Sequence, residues 1–177
     1  MAIAPQVHGY HGTSIQAATS ILQQGFRGSR NSYDWLGDGV YFWQDAPARA
    51  WQWASAKWGP QAAVVGSLLS LDDCLDLLDI RWDQPLAIAY QSLVVQLQQQ
   101  QLALPTQSPG AHRMDRAVIN YAIRLLGHQG VPIGAVRSAF REGTPIYPSS
   151  YLYTRSHVQI AIRDLSLIRQ SWLEPSY

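Results

Sequence analysis

A chain of 177 residues with a formal net charge of +1 and 14% charged residues fits one domain, long enough to bury about two-thirds of the surface its unfolded form exposes. That balance excludes a protein that holds duplex nucleic acid by charge, which needs a basic stripe, and no run reaches the roughly 20 apolar residues that span a bilayer. The lone Cys74 excludes an internal disulfide and fits a reducing compartment. With no basic, apolar leader in "MAIAPQVHGYHG", the expectation is a cytoplasmic protein that does not enter the membrane.

Taken in chain order, Val7 to His11 reads as a strand. From Ser14 to Gln24 the spacing of Ile15, Ala18 and Leu22 predicts a short helix, with Thr13 or Ser14 as cap and Gly25 as stop. In "WLGDGVYFW" the Gly-Asp-Gly run predicts a tight turn feeding the strand Val40 to Trp43. Asp45 and Pro47 open a helix with Ala50, Trp51, Ala54 and Trp58 on one face, ended by Gly59 and Pro60. A strand from Ala63 to Leu71 follows.

A third helix is expected from about Pro85, with Leu86, Tyr90, Leu93, Val94 and Leu97 inward, running into the glutamine tract that ends as a loop at "LPTQSPG". In "RMDRAVINYAIRLL" the period predicts a fourth, with Met114, Ala117, Val118, Tyr121, Ala122 and Leu125 inward. Strands are then expected at Gly134 to Ser138, His157 to Arg163 and Ser166 to Trp172. Strands at both ends with most helix between them point to an α+β fold with non-local strand pairing rather than a doubly wound sheet. The 7 Trp and 9 Tyr against 3 Phe suit a cleft as well as a core, since both residues join a flat face to a polar tip.

Three groups interrupt apolar strands: His11 in "VHGYHGTS", Tyr41 in "GDGVYFW" and Gln159 in "SHVQIAIRD". Each alone reads as a satisfied structural residue. Together, "HGTS", "ILQQGFRGS" and "LGDGVYF" in this order resemble the catalytic domain of the poly(ADP-ribose) polymerase and diphtheria-toxin class of ADP-ribosyltransferases, which carries a His-Tyr-Glu triad. The resemblance is dense from Tyr10 to about Trp58, sparse in the middle, and returns in the final strands.

The resemblance implies one ADP-ribosyltransferase-like domain over residues 1–177, in which two small mixed or antiparallel sheets form a cleft for NAD, the co-substrate. It places Tyr41 against nicotinamide, the backbone of Gly12 on the carboxamide with Thr13 beside it, and His11 on a ribose hydroxyl. Trp51 or Trp53 would close the nicotinamide slot, because the Ser and Tyr usual after that strand are replaced by "APARAWQWA". Arg27 would face the diphosphate, which a guanidinium binds through paired charged hydrogen bonds, with Arg30 as its substitute; a solvated loop arginine is the plainer reading of either. The segment "GSRNSYD" would wall the dinucleotide.

The departure falls at the third triad position, where Gln159 stands in place of the catalytic Glu. A neutral amide keeps a hydrogen bond at about half the strength of a charged one and accepts no proton. Either the acceptor supplies its own nucleophile or base, or another carboxylate takes over, for which Glu142 in "FREGTPIYPSS" is the candidate, its plainer reading being a turn residue beside Gly143. His157 projects from the same strand face as Gln159. His8 and His11 spell His-x-x-His without further ligands, so no metal site is expected.

The expected function is transfer of one ADP-ribose from NAD to a protein, nucleic acid or small-molecule acceptor, with release of nicotinamide. On fold analogy this suits a toxin with a neutralising antitoxin-type partner. The alternatives are an inactive relative that binds NAD or ADP-ribose, or an RNA 2′-phosphotransferase-like enzyme, which this chain's lack of a basic cluster disfavours.

Overall fold

The computed structural model describes residues 5–31, 34–108 and 110–176. In chain order these form β1 (Gln6–Ser14), α1 (Ile15–Gln24), β2 (Val40–Gln44), α2 (Pro47–Trp58), β3 (Ala62–Ser70), β4 (Cys74–Asp76), α3 (Asp83–Gln99), β5 (Gln107–Ser108), β6 (Ala111–His112), α4 (Arg113–His128), β7 (Ala135–Phe140), β8 (His157–Ile162) and β9 (Ile168–Glu174). Seven strands make one mixed sheet in the order β4-β7-β8-β2-β1-β3-β9, and β5 with β6 forms a separate two-residue ladder. Only β4 beside β7 runs parallel.

The architecture is therefore α+β, as the segregation of strands and helices predicts. The two expected sheets, however, are one continuous sheet with a narrow waist. β1 pairs with β3 through nine residues, and β2 pairs with β8 through four. β1 and β2 meet only at Gly9↔Gln44 and Tyr10↔Trp43. Beyond Tyr10 the two strands part, so the halves of the sheet are joined by two pairs.

Period-two alternation along the strands sorts the core onto two faces. Val40 and Phe42 of β2, Ile160 and Ile162 of β8 and Val65 and Leu69 of β3 are buried with Ala18 of α1 and with Phe26. Tyr41 and Ala161 face the other way, with Leu36, Leu75 and Val136, under Ile119 of α4. On that same second face, over the other half of the sheet, α2 buries Ala50 and Ala54 against Trp43 and Val64. Burying the Phe42 side chain, 1% exposed, contributes about 1.5–3 kcal/mol.

Helix ends mostly follow local chemistry. Ser14 Oγ accepts from the Ala17 N–H at 3.2 Å, and Gly25, at φ +83°, ends α1 with its N–H on the Ile21 carbonyl, as cap and stop motifs require. Asp45 does not open α2. It turns at φ +49° before an uncapped start at Ala46, and Pro47 begins the helix instead.

Two helix faces are rotated from expectation. Leu93 of α3 and Ala122 of α4 are buried as expected, but Tyr90 is exposed and the unexpected Ala89 and Ile119 are buried. The cause is that α4 serves two neighbours. Ile119 meets the sheet, while Ala122, Leu125 and Leu126 line a recess of about 250 Å³ with Leu86 and Ala89 of α3. Periodicity shows that a stripe exists, and tertiary packing selects its centre. The three-residue β4 and the β5–β6 ladder carry too little pattern to read from sequence. Among the described residues no helix is long and apolar enough to cross a membrane.

Candidate active site

Where β1 and β2 separate, a side chain replaces the missing ladder. The His11 Nδ1–H donates to the Tyr41 carbonyl at 2.8 Å, because a carbonyl can only accept. The imidazole rests edge-on against Phe26 at 5.4 Å and Phe42 at 5.9 Å between ring centroids. Burial lowers the His11 pKa, partly opposed by the bond to Tyr41, so the ring is neutral near pH 7 and Nε2 carries a lone pair.

Tyr41 belongs to the opposite face of the sheet. Its hydroxyl donates to the Gly37 carbonyl at 2.7 Å and accepts from the Leu36 N–H at 2.8 Å, and burial, then the charge of Asp34, raises its pKa. The imidazole and the phenol are thus linked through the Tyr41 backbone, with their rings on opposite sides. The expectation that the two rings line one slot is corrected here, because β2 turns Phe42, not Tyr41, toward His11.

The turn before β2 is anchored from a distance. Arg116 Nη2 donates to Asp38 Oδ1 at 2.6 Å, Arg163 Nη1 donates to the Asp38 carbonyl and to Asn120 Oδ1, both at 2.9 Å, and a Cβ on Gly37 would lie 2.7 Å from Asn120 Oδ1. Gly37 itself adopts φ +85°, a conformation suited to glycine. Gly37 and Asp38 therefore serve as a docking site for α4 as well as a turn.

Gln159 aligns with Trp43 of β2 and with Ser138 of β7. Its Oε1 accepts from Trp35 Nε1–H at 2.5 Å, which leaves the amide NH₂ as its free donor group. Trp43, His157 and Gln159 share the Tyr41 face. There Trp43 is 8% exposed, lies 6.1 Å from the His157 ring and carries the Arg49 guanidinium 5.5 Å from its ring centroid.

Glu142 stands at the edge of this group, accepting from Arg49 Nη2 at 2.6 Å and lying 3.5 Å from Arg155 Nη1. The proposed replacement carboxylate is thus held between two arginines. His157 donates from Nδ1 to the Arg155 carbonyl at 2.7 Å. Burial lowers its pKa, reinforced by Arg49 and opposed by Glu142 and by that bond.

The remaining expected site residues scatter. Gly12 admits its own helix: a Cβ there would lie 2.8 Å from the Ala50 carbonyl and 3.1 Å from the Trp53 ring. Thr13 is buried at 5% exposure opposite Ala63 of β3. Trp53 reaches Trp43 at 5.4 Å, whereas Trp51 donates to the Pro175 carbonyl. Arg27 is exposed, 3.4 Å from Gln24 Oε1, and the Arg30 backbone carbonyl accepts from Arg116. In the wall segment 28–34, Ser32 and Tyr33 lie outside the described residues. The structure thus brings His11, Tyr41, Gln159 and Glu142 to the waist, while the Arg27 side chain, next to Phe26, is exposed toward Gln24.

Sequence reasoning passed over Arg49, Trp43 and Trp35. Trp43 was legible, since period two puts it on the face of Tyr41. Arg49, beside the buried Ala50, was visible only as a charge on an apolar helix face. Compared with known proteins, the chain matches no family model, no curated protein and no solved structure.

Proposed function

We propose that the chain is an NAD-dependent mono-ADP-ribosyltransferase whose reaction centre lies at the waist of the sheet. One observation carries the reading: His11, Tyr41 and Gln159, spread over 149 positions of the sequence, fall on three adjacent strands where the central ladder is reduced to two pairs. On the α1 side the bare Nε2 of neutral His11 suits acceptance from the hydroxyl of one ribose, and on the α2 side the amide NH₂ of Gln159 suits an oxygen of the other, so the dinucleotide would cross the sheet where β1 and β2 part. Arg49, above Trp43, offers a cation for a diphosphate if its pair with Glu142 opens.

A second reading, binding of NAD or ADP-ribose without transfer, is favoured by two contacts. The Gln159 Oε1 is already engaged by Trp35, and Glu142 by Arg49 and Arg155. Nicotinamide release from NAD separates the two. The transferase predicts steady release that falls at least 10²-fold in His11→Ala, in the range lost with a catalytic group. Saturable ADP-ribose binding by calorimetry, with no release under any acceptor condition, would leave the binder standing and overturn the enzyme. Neither release nor binding would remove both.

A further inference from the structure

Among the described residues five buried side-chain nitrogens have no hydrogen-bond partner, and three of them, Trp43 Nε1, Arg49 Nε and His157 Nε2, lie beside the waist, the others being Trp82 Nε1 and Arg116 Nε. They come from three elements, β2, α2 and β8, whose side chains are neighbours, with the His157 and Trp43 ring centroids 6.1 Å apart and the Arg49 Cζ 5.5 Å from the Trp43 centroid. A lone unsatisfied atom is an ordinary local cost. Three around one indole describe the chemistry of whatever would satisfy them.

That chemistry follows from donor and acceptor counting. Indole Nε1 and guanidinium Nε are donors only. His157 has committed its Nδ1–H to the Arg155 carbonyl, so its Nε2 is a lone pair, an acceptor. Two donors and one acceptor match an alcohol, whose oxygen accepts twice and donates its single proton. An amine or a guanidine, rich in N–H, would face two donors and repel them.

We propose that Trp43, Arg49 and His157 receive the hydroxyl of the ADP-ribose acceptor, and that His157 Nε2 takes its proton in place of the carboxylate missing at Gln159. The inference rests on the transferase reading above. In the step Arg49 Nε–H releases one lone pair of the acceptor oxygen, that pair bonds to C1′ of the nicotinamide ribose, and the C1′–nitrogen bond breaks. Its electron pair stays on the nicotinamide nitrogen and cancels the positive charge there, while the hydroxyl proton moves to His157 and later to solvent. Arg49, Glu142 and Arg155 are the charged groups around His157, and the Arg49–Glu142 pair, at 2.6 Å, must move for the acceptor to enter. Burial holds the imidazole unprotonated near pH 7, the state a base needs.

The test supplies NAD with glycerol, with agmatine, or with water alone, and measures nicotinamide release and adduct mass. The expected result is a glycerol adduct and no agmatine adduct. His157→Gln should lower glycerol transfer by about 10²–10⁴-fold and remove the acid limb of the pH profile, with NAD affinity unchanged. Trp43→Phe, which keeps a ring but not the N–H, should shift the products toward free ADP-ribose by about tenfold, the scale of one hydrogen bond. It guards against a misfolded His157 variant.

Preference for agmatine, or wild-type transfer and pH profile in both variants, would overturn the inference and leave the three atoms as the lining of a buried water. In that case nicotinamide release would persist and the transferase reading would survive. An absence of release from the wild-type chain would instead overturn both.

Discussion

The two sides of the sheet at its waist use aromatic rings in opposite ways. On the α1 side, His11, Phe26 and Phe42 contact one another edge-on at 5.2–5.9 Å, and the imidazole's one donor is bonded to Tyr41. On the α2 side, Trp43 meets Trp53 and His157 at 5.4 and 6.1 Å, distances just as ordinary for packed rings. There, however, an indole nitrogen, a guanidinium nitrogen and an imidazole nitrogen are buried without partners. Ring packing alone does not distinguish a core from a site. The polar inventory differs between the two sides, and an unmet buried donor or acceptor costs about 1–3 kcal/mol, although Trp82 Nε1 and Arg116 Nε are unmet as well.

The contrast predicts unequal responses to substitution. The largest should come from the packed side. Phe42→Ala empties the centre of the ring trio and should cost about 3–5 kcal/mol, read as a lower urea midpoint at unchanged slope. A loss below 1 kcal/mol would mean that this side collapses as readily as a surface, and the comparison would break.

Gly12→Ala should cost less, about 1–3 kcal/mol, by overpacking. The added methyl would meet the Ala50 carbonyl, which is main chain and cannot rotate away, so α2 must shift and carry Trp53 and Arg49 with it. The prediction is sharpened by tryptophan emission, which should move to longer wavelength in Gly12→Ala as the Trp53 environment opens. An unchanged spectrum with unchanged stability would remove the role assigned to Gly12 in seating α2.

These two positions also show where the sequence was readable. The β1 strand, the α1 cap at Ser14 and the α2 start at Pro47 follow from residues within one turn of each other, so local chemistry decides them. The meeting of His11 with Tyr41 was expected, but the faces were not. That depended on which β2 residue turns toward β1, and the register of a strand pair is set by its partners. The anchoring of Asp38 by Arg116 and Arg163 joins residues 78 and 125 positions apart, and neither arginine stands out among the 13 basic residues. Gly12 was read as room for a ligand and turned out to be room for a helix, because a missing Cβ does not say which neighbour needs the space.

The smallest effect should appear as a slope with pH, and it tests whether the two sides share one property, an imidazole that burial keeps neutral. In the unfolded chain His11 titrates near its ordinary 6.5, and burial lowers it in the fold. Between those two values the unfolded state holds a proton that the folded state lacks, so acid favours unfolding. The contribution is complete above about pH 6.5 and is lost as pH falls toward the folded value, by at most about 1.4 kcal/mol per pH unit. His157 shifts in the same direction and adds its own slope. Urea midpoints at pH 7, 6 and 5 should therefore fall in the wild type, fall less steeply in His11→Gln or His157→Gln, and least in the double variant. If His11→Gln alone flattened the profile, the His157 imidazole would titrate as though exposed, and the buried lone pair beside Trp43 would lose its support while the His11 side kept its own.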